Sequence, residues 1–379
     1  MKQYVQSHLK DMNRQVVYKL IKERETTSKA EISKITGISS PTVIKIVNFL
    51  QEKGLVVEVG EGDTAIGRKP HMLTLNSNWK YSAVFFLEGD FLSMGIVDIV
   101  GNVLSRKQMK VKPDFDFIIN QISDTFIYQL LVENHLEMSQ LFGIGIALPV
   151  IYDKNKQTIA GAPLVEDREE KYIGDAIAAL EKKFDVIVCV ENDANAQTLG
   201  EFEMSGCQPK DDLVLISLGT GMGAGVILGG KLRRGAHNMC GEIGYISFME
   251  SYVSDRKNPG YLEIGIGYKN LQEKYGIELA DTKLIMPEDK KEQLLEYVAS
   301  TMALCINNVI MFLDCANVVL GGKVIEMFGL PVIERVNKHL EHLCISGVKV
   351  KMEMSEDIGL VGIASLVTEK RIFQILTEE

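Results

Sequence analysis

Three runs decide how this chain is to be read: Val190-Glu191-Asn192-Asp193-Ala194-Asn195, then Leu215-Ile216-Ser217-Leu218-Gly219-Thr220-Gly221-Met222-Gly223-Ala224-Gly225, then Gly241-Glu242-Ile243-Gly244-Tyr245. The apolar segment Val186 to Val190 reads as a buried strand. It delivers Asn192 and Asp193 at its carboxyl end, where open α/β sheets gather ligand groups. An amide beside a carboxylate can grip a polyhydroxylated ligand, and the carboxylate can accept a proton from an attacking hydroxyl. A second apolar strand, Leu213 to Leu218, breaks into a turn carrying Gly219, Thr220, Gly221 and Gly223, whose backbone amides can approach an anion closely. Gly219, Gly221 and Ala224 also satisfy a loose dinucleotide fingerprint, but that motif requires a helix after the turn. Val226-Ile227-Leu228-Gly229-Gly230 reads instead as a strand and a hairpin turn, so an oxidoreductase is set aside on context.

Together these runs resemble the ROK family of repressors and sugar kinases. The resemblance implies an α/β fold with a two-lobed actin-like, sugar kinase (ribonuclease H-like) body. It implies that Asn192 binds sugar, that Asp193 stands where the kinases keep their catalytic base, that Gly219 to Gly225 is a phosphate loop, and that Glu242 and Glu263 are further sugar ligands. Tyr245 replaces a family His that binds sugar and zinc, and Ser254, Arg256 and Tyr261 stand at positions of zinc-ligating cysteines. A structural zinc needs four nitrogen or sulfur donors, so no metal is expected. Tyr245 can instead stack on a sugar face or donate a hydrogen bond. The family's first phosphate loop falls on the hairpin between Tyr81 to Leu87 and Phe91 to Asp98, where this chain has Glu88-Gly89-Asp90. Two carboxylates there would repel a triphosphate, so ATP is not expected to bind. Read without the family, Glu88 and Asp90 make an ordinary solvated hairpin turn. The loop Gly161-Ala162-Pro163-Leu164 lacks the Asn with which relatives touch the sugar, and Val318 to Gly322 matches the strand and Gly-Gly turn beside which the kinases hold adenine.

Ahead of this body, three helices can be drawn. Val16, Val17, Leu20 and Ile21 form a one-sided stripe within Asn13 to Arg24. Lys29 to Thr36 can be capped by Thr27 or Ser28 and stops at Gly37. Ser40-Pro41 opens a third helix with Ser40 as its N-cap and Val43, Ile46, Val47 and Leu50 on one face. A helix, a glycine turn and a second helix with a polar first turn form the helix-turn-helix pattern. Ser39, Ser40, Thr42 and Lys45 lie off the apolar stripe, free to face bases and phosphates. Leu55 to Val59 and His71 to Leu75 read as a two-stranded wing with Arg68 and Lys69 near its tip, suited to phosphate or minor-groove contact. The competing interpretation is a three-helix interaction domain whose basic pair only solubilises a loop.

Composition fits this division. The 379 residues carry a net charge of −10, which disfavours nucleic-acid binding by the chain taken whole. Residues 1 to 80, however, hold 13 Lys and Arg against 8 Asp and Glu, so a basic head precedes an acidic body. Residues 1-75 are assigned to a winged helix-turn-helix domain, 76-190 to the first lobe with a helix from about 365-379 returning to it, and 191-364 to the second lobe. The six cysteines show no close pairing, and neither a signal-peptide core nor an apolar run of membrane length is seen. A cytoplasmic protein with no membrane partner is expected. Its partners would be palindromic operator DNA and a sugar, bound as a homodimer or dimer of dimers. The alternative is an ATP-dependent sugar kinase with a regulatory DNA-binding head. Recognition of a transporter or other protein in place of a metabolite stays open.

Overall fold

The computed structural model of the chain describes residues 2–61, 70–161, 164, 169–248, 260–278, 284–353 and 355–378, with side chains from residue 8 on. The head comprises α1 (Lys2–Arg24), the two-residue β1 (Thr27–Ser28), α2 (Lys29–Thr36), α3 (Ser40–Glu52), β2 (Val56–Glu61) and β3 (His71–Leu75), with sheet order β1-β3-β2. α1 starts well before Asn13, because its first turns are polar and carry no stripe to read. Val17, Leu20 and Ile21 turn inward as anticipated, whereas Val16 stays exposed. α2 begins with a reciprocal capping box: the Glu31 N–H donates to Ser28 Oγ at 3.3 Å and the Ser28 N–H donates to Glu31 Oε2 at 3.0 Å. Gly37, at φ 71°, ends it in the left-handed conformation that glycine adopts without strain. The N-cap of α3 is Ser39 and not Ser40, which places Pro41 second in the helix.

The body contains two five-stranded sheets of the same design. The first lobe runs β4 (Tyr81–Glu88), β5 (Phe91–Asp98), β6 (Val103–Lys110), α4 (Phe115–Gln121), α5 (Ile127–Glu133), β7 (Leu141–Leu148), a small sheet of β8 (Ile151–Asp153), β9 (Thr158–Ala160) and β10 (Lys171–Tyr172), then α6 (Gly174–Phe184), β11 (Ile187–Asn192) and α7 (Asp193–Met204). A π-helical turn, Ile122–Phe126, joins α4 to α5. The second lobe runs β12 (Leu213–Leu218), β13 (Met222–Leu228), β14 (Lys231–Leu232), α8 (Tyr261–Ile266), α9 (Tyr268–Tyr275), α10 (Glu288–Leu313), β15 (Val318–Gly321), α11 (Lys323–Phe328), α12 (Leu330–Leu343), β16 (Val350–Met352) and α13 (Ile358–Leu376). The strand orders are β11-β7-β4-β5-β6 and β16-β15-β12-β13-β14. In each, the first three strands form an antiparallel meander and the last two add in parallel. The hairpin turns β4–β5 and β12–β13 are therefore equivalent.

α10 has the length and composition of a membrane-crossing helix, but its apolar face from Leu294 to Ile310 is buried in the second-lobe core against α12 and the sheet. α13 starts at Ile358, which packs with Leu213, Leu215, Ile227 and Val319 of the second lobe, and it joins the first-lobe strands from Leu360 on, earlier than the boundary near residue 365 anticipated from the sequence. Its last turn enters the head: Ile372, Ile375 and Leu376 share one core with Val17, Leu20, Leu50 and Leu73. Phe85, fully buried on β4, stacks with Phe126 of the π-helical turn at 6.3 Å between ring centroids. Truncation there leaves a cavity that a close-packed sheet-helix layer cannot collapse, so Phe85→Ala is expected to cost about 3–5 kcal/mol in a urea unfolding curve.

Candidate functional site

β11 ends at Asn192, and α7 begins with Asp193. Asn192 is the N-cap: its Oδ1 accepts the Asn195 N–H at 3.0 Å, while its Nδ2 donates to Val150 O and Asp193 Oδ1, both at 3.1 Å. This fixes the amide plane and places the two side chains beside each other at a strand's carboxyl end. Burial pushes the Asp193 carboxyl up to about 6 against the pull of the Ala194 N–H and the Asn192 amide. The preceding residue, Glu191, is almost wholly buried. Its Oε1 accepts from the Asn192 N–H and Asn195 Nδ2, both at 3.0 Å, and its Oε2 accepts from Arg234 Nε at 2.8 Å. Arg234 follows β14, so the ion pair ties the second lobe to the strand that carries Asn192. Neither Glu191 nor Arg234 carries a role legible in the sequence, because they lie 43 residues apart and meet only in the fold.

The remaining anticipated residues converge on this corner. Gly219 and Gly221 close a tight turn through the Gly219 N–H to Gly221 O hydrogen bond of 3.0 Å, with Thr220 exposed at its tip. Gly223 lies where a Cβ would be 3.5 Å from the Ala194 Cβ, which seats β13 on the first turn of α7. The segment from Gly241 to Tyr245 is anchored by the Ala224 N–H donating to Gly241 O at 2.8 Å. Glu242 precedes a 3-10 turn, Ile243–Tyr245, and is half-buried, whereas Tyr245 is 37% exposed. The Glu263 carboxylate of α8 faces both neighbours, with Oε2 at 3.4 Å from a Cβ position on Gly244 and Oε1 at 3.9 Å from one on Gly221. Asn192, Asp193, Gly219 to Gly223 and Glu263 are thus drawn together where β11, β13 and α8 meet, with Glu242 on the segment that Ala224 anchors. Ala162, Pro163, Ser254 and Arg256 lie outside the described residues; among the described residues no cluster of three His, Cys, Asp or Glu could hold a metal ion.

One expectation is corrected. Glu88 does not sit in a solvated hairpin turn. It points across the cleft, with Oε1 3.4 Å from the Lys323 amide of α11 and 2.6 Å from a Cβ position on Gly219, and Gly89 rests on the Thr220 side chain. Asp90 does face solvent, paired with Lys110 at 2.9 Å. Burial pushes Glu88 up to about 7, with Lys323 pulling the other way; burial likewise pushes Glu353, lodged against Gly321, up to about 8. Glu353, Lys323 and Glu326 were invisible as site residues because they come from ordinary-looking segments of the second lobe. They join the cleft only when the two equivalent turns meet.

In the head, Ser39, Ser40 and Lys45 are exposed and Thr42 is half-buried, its Oγ1 2.9 Å from Ser39 Oγ. Ile44 and Asn48 share this outward face of α3 and were not singled out, although their spacing from Pro41 follows the helical repeat. Arg68 and Lys69 lie outside the described residues. For Glu88 the sign of the pH dependence follows from its raised value. Its stabilising contribution is present below its ordinary value near 4.5 and is lost as pH rises through about 7. Glu88→Gln should match the wild type in stability at pH 4 and exceed it by on the order of 2 kcal/mol at pH 8, read from denaturant midpoints at both pH values.

Comparison with known proteins agrees with this architecture. A winged helix-turn-helix DNA-binding pattern matches residues 13–57, and the ROK family pattern matches residues 89–370. The xylose repressor of Bacillus subtilis (strain 168) is 28% identical over 286 residues, 76% of this chain and 71% of that protein. The glucokinase of Streptomyces coelicolor is 29% identical over 187 residues, 49% of this chain and 53% of that one. Among solved structures, a ROK family transcriptional regulator, described as a homolog of the E. coli MLC protein, superposes over 98% of both chains with a TM-score of 0.74 at 20% identity. A ROK family glucokinase from Streptomyces griseus, in complex with glucose and AMPPNP, covers 76% of this chain and 98% of its own, with a TM-score of 0.59 at 23% identity. With a match spanning residues 89–370 behind a winged helix-turn-helix, the chain belongs to the ROK family.

Proposed function

We propose that this protein is a sugar-responsive transcriptional repressor of carbohydrate uptake or catabolism genes, acting in the cytoplasm on operator DNA. One observation carries the proposal: a winged helix-turn-helix shares a continuous core with a ROK body whose cleft keeps Asn192, Asp193, Glu242 and Glu263 but turns the Glu88 carboxylate toward its glycine loop. Neutral hydroxyls find paired acceptors and donors in such a cleft, whereas a triphosphate meets Glu88, Glu353 and Glu326. We therefore assign no kinase activity and no nucleotide to it. No zinc is assigned either, since Tyr245 supplies a phenol where the family's imidazole stands and the donor set does not fit the ion. The assembly we infer is a homodimer, or a dimer of dimers, whose paired recognition helices lie about 34 Å apart on a palindrome.

A sugar kinase is the second interpretation, favoured by Asp193: a carboxyl pushed up to about 6 is tuned for a general base near neutral pH. A coupled ADP-release assay across hexoses, hexosamines and pentoses separates the two. Turnover at background level is expected; turnover that vanishes in Asp193→Ala would establish a kinase. DNA binding is measured by anisotropy on duplexes from the protein's own locus. Lys45→Ala should weaken binding about tenfold and flatten its salt dependence by roughly one counterion. Absence of binding to any such duplex, with and without sugars, would count against the repressor.

A further inference from the structure

The route by which an occupied cleft could reach the head is visible in two helices. α7 starts at the cleft with Asn192 and Asp193 and is held closely on both sides, on the α13 side without intervening side chains. On one side, a Cβ on Gly225 of β13 would collide with Thr198. On the other, a Cβ on Gly362 would collide with Ala196 O, and one on Gly200 would collide with Ile358 O, so α7 and α13 touch backbone to backbone. α13 starts beside the cleft, where a Cβ on Gly359 would lie 2.6 Å from the ring of Phe86, and it ends inside the head. There Arg14 of α1 donates from Nη1 to Leu376 O at 3.0 Å and Glu378 O at 2.8 Å, while its guanidinium lies 3.6 Å from the centre of the Phe49 ring of α3. Lys53 pairs with Glu378 at 2.6 Å. The last turn of α7 adds Glu203, paired with Lys22 of α1 at 2.8 Å.

We propose that α13 is the lever that passes a change in the cleft to the DNA-binding head, with α7 driving it and the Arg14 clamp as its output contact. The physical basis is that contacts between backbones have no soft side chain to absorb a shift. A displacement of α7 by sugar or by movement of β13 must move α13, and α13 cannot move without pulling on carbonyls that Arg14 holds beside the recognition helix. The proposal uses the cleft as the effector site only in its sugar arm; its other arms stand without it.

Trp79 is the single tryptophan of the chain and sits at this junction, its ring edge-on to Phe142 at 5.3 Å and its Nε1 2.4 Å from where a Cβ on Gly54 would lie. Its emission therefore reports the seating of the head on the body. In the full-length protein, Gly200→Ala perturbs the contact of α7 with Ile358, which Trp79 does not share. The expected result is an altered Trp79 emission and about tenfold faster deuterium exchange at residues 372–376 and in α1. Changes confined to α7 and residues 358–362 would overturn the proposal. Should Gly200→Ala not fold, Arg14→Ala tests the same coupling from the other end, because coupling is reciprocal. It should speed exchange at residues 193–200, and an effect limited to the head junction would overturn it. Titration of the wild type with D-xylose, D-glucose and N-acetyl-D-glucosamine, followed by calorimetry and Trp79 emission, supplies the third arm. Heat of binding with unchanged emission would overturn the lever; no heat from any sugar would count against the effector site instead, and the two variants would then decide.

Discussion

Everything in this structure depends on how closely α7 can be approached. Glycine at position 225 lets β13 press on the Thr198 side chain on one side, and glycine at positions 200 and 362 lets α13 come within backbone contact on the other. A methyl group at any of the three would have to push a carbonyl or a buried hydroxyl aside, and close-packed interiors yield little to such pressure. The helix is thereby clamped between the lobes, and its first residues, Asn192 and Asp193, are presented at a fixed place in the cleft. The same clamp brings α13 across the first-lobe sheet and into the core of the head.

Charge then decides what the cleft can hold. The two equivalent hairpin turns of the repeated sheet design face each other, and in this chain the first of them contributes a carboxylate. Glu88 approaches the Gly219 turn and the Lys323 amide, while Glu353 lies against Gly321. Each is forced toward its protonated form by burial, and neither supplies the positive charge that would hold another anion. On the other flank, Glu191 is neutralised by Arg234 and satisfied by the Asn192 and Asn195 groups, so the same residue type there braces the strand end. Pairing with a guanidinium thus gives Glu191 a different role from that of Glu88 and Glu353.

Much of this was legible from residue order alone. The capping box at Ser28, the left-handed stop at Gly37 and the apolar stripe of α3 are local, and local signals survive in a sequence because neighbours in the chain are neighbours in space. The Asn192-Asp193 pair and the glycine turn at Gly219 were legible for the same reason: each is a short motif at a strand end. The misreadings came where that condition fails. The N-terminal turns of α1 carry no periodic stripe, the N-cap of α3 moved by one residue between the adjacent Ser39 and Ser40, and Glu88 looked like any acidic hairpin residue.

The sequence by itself thus determined the composition of the molecule: a winged head, two α/β lobes, and the short motifs that border the cleft. Only the tertiary structure decided that the lobes repeat one strand order, that Glu88 turns inward to meet the second lobe, that Glu191 pairs with Arg234, and that the final helix runs from the cleft to the head. The physical reason is the same in each case. These contacts join residues separated by tens to hundreds of positions, and their energies depend on burial and on close approach, neither of which a linear string of residues contains.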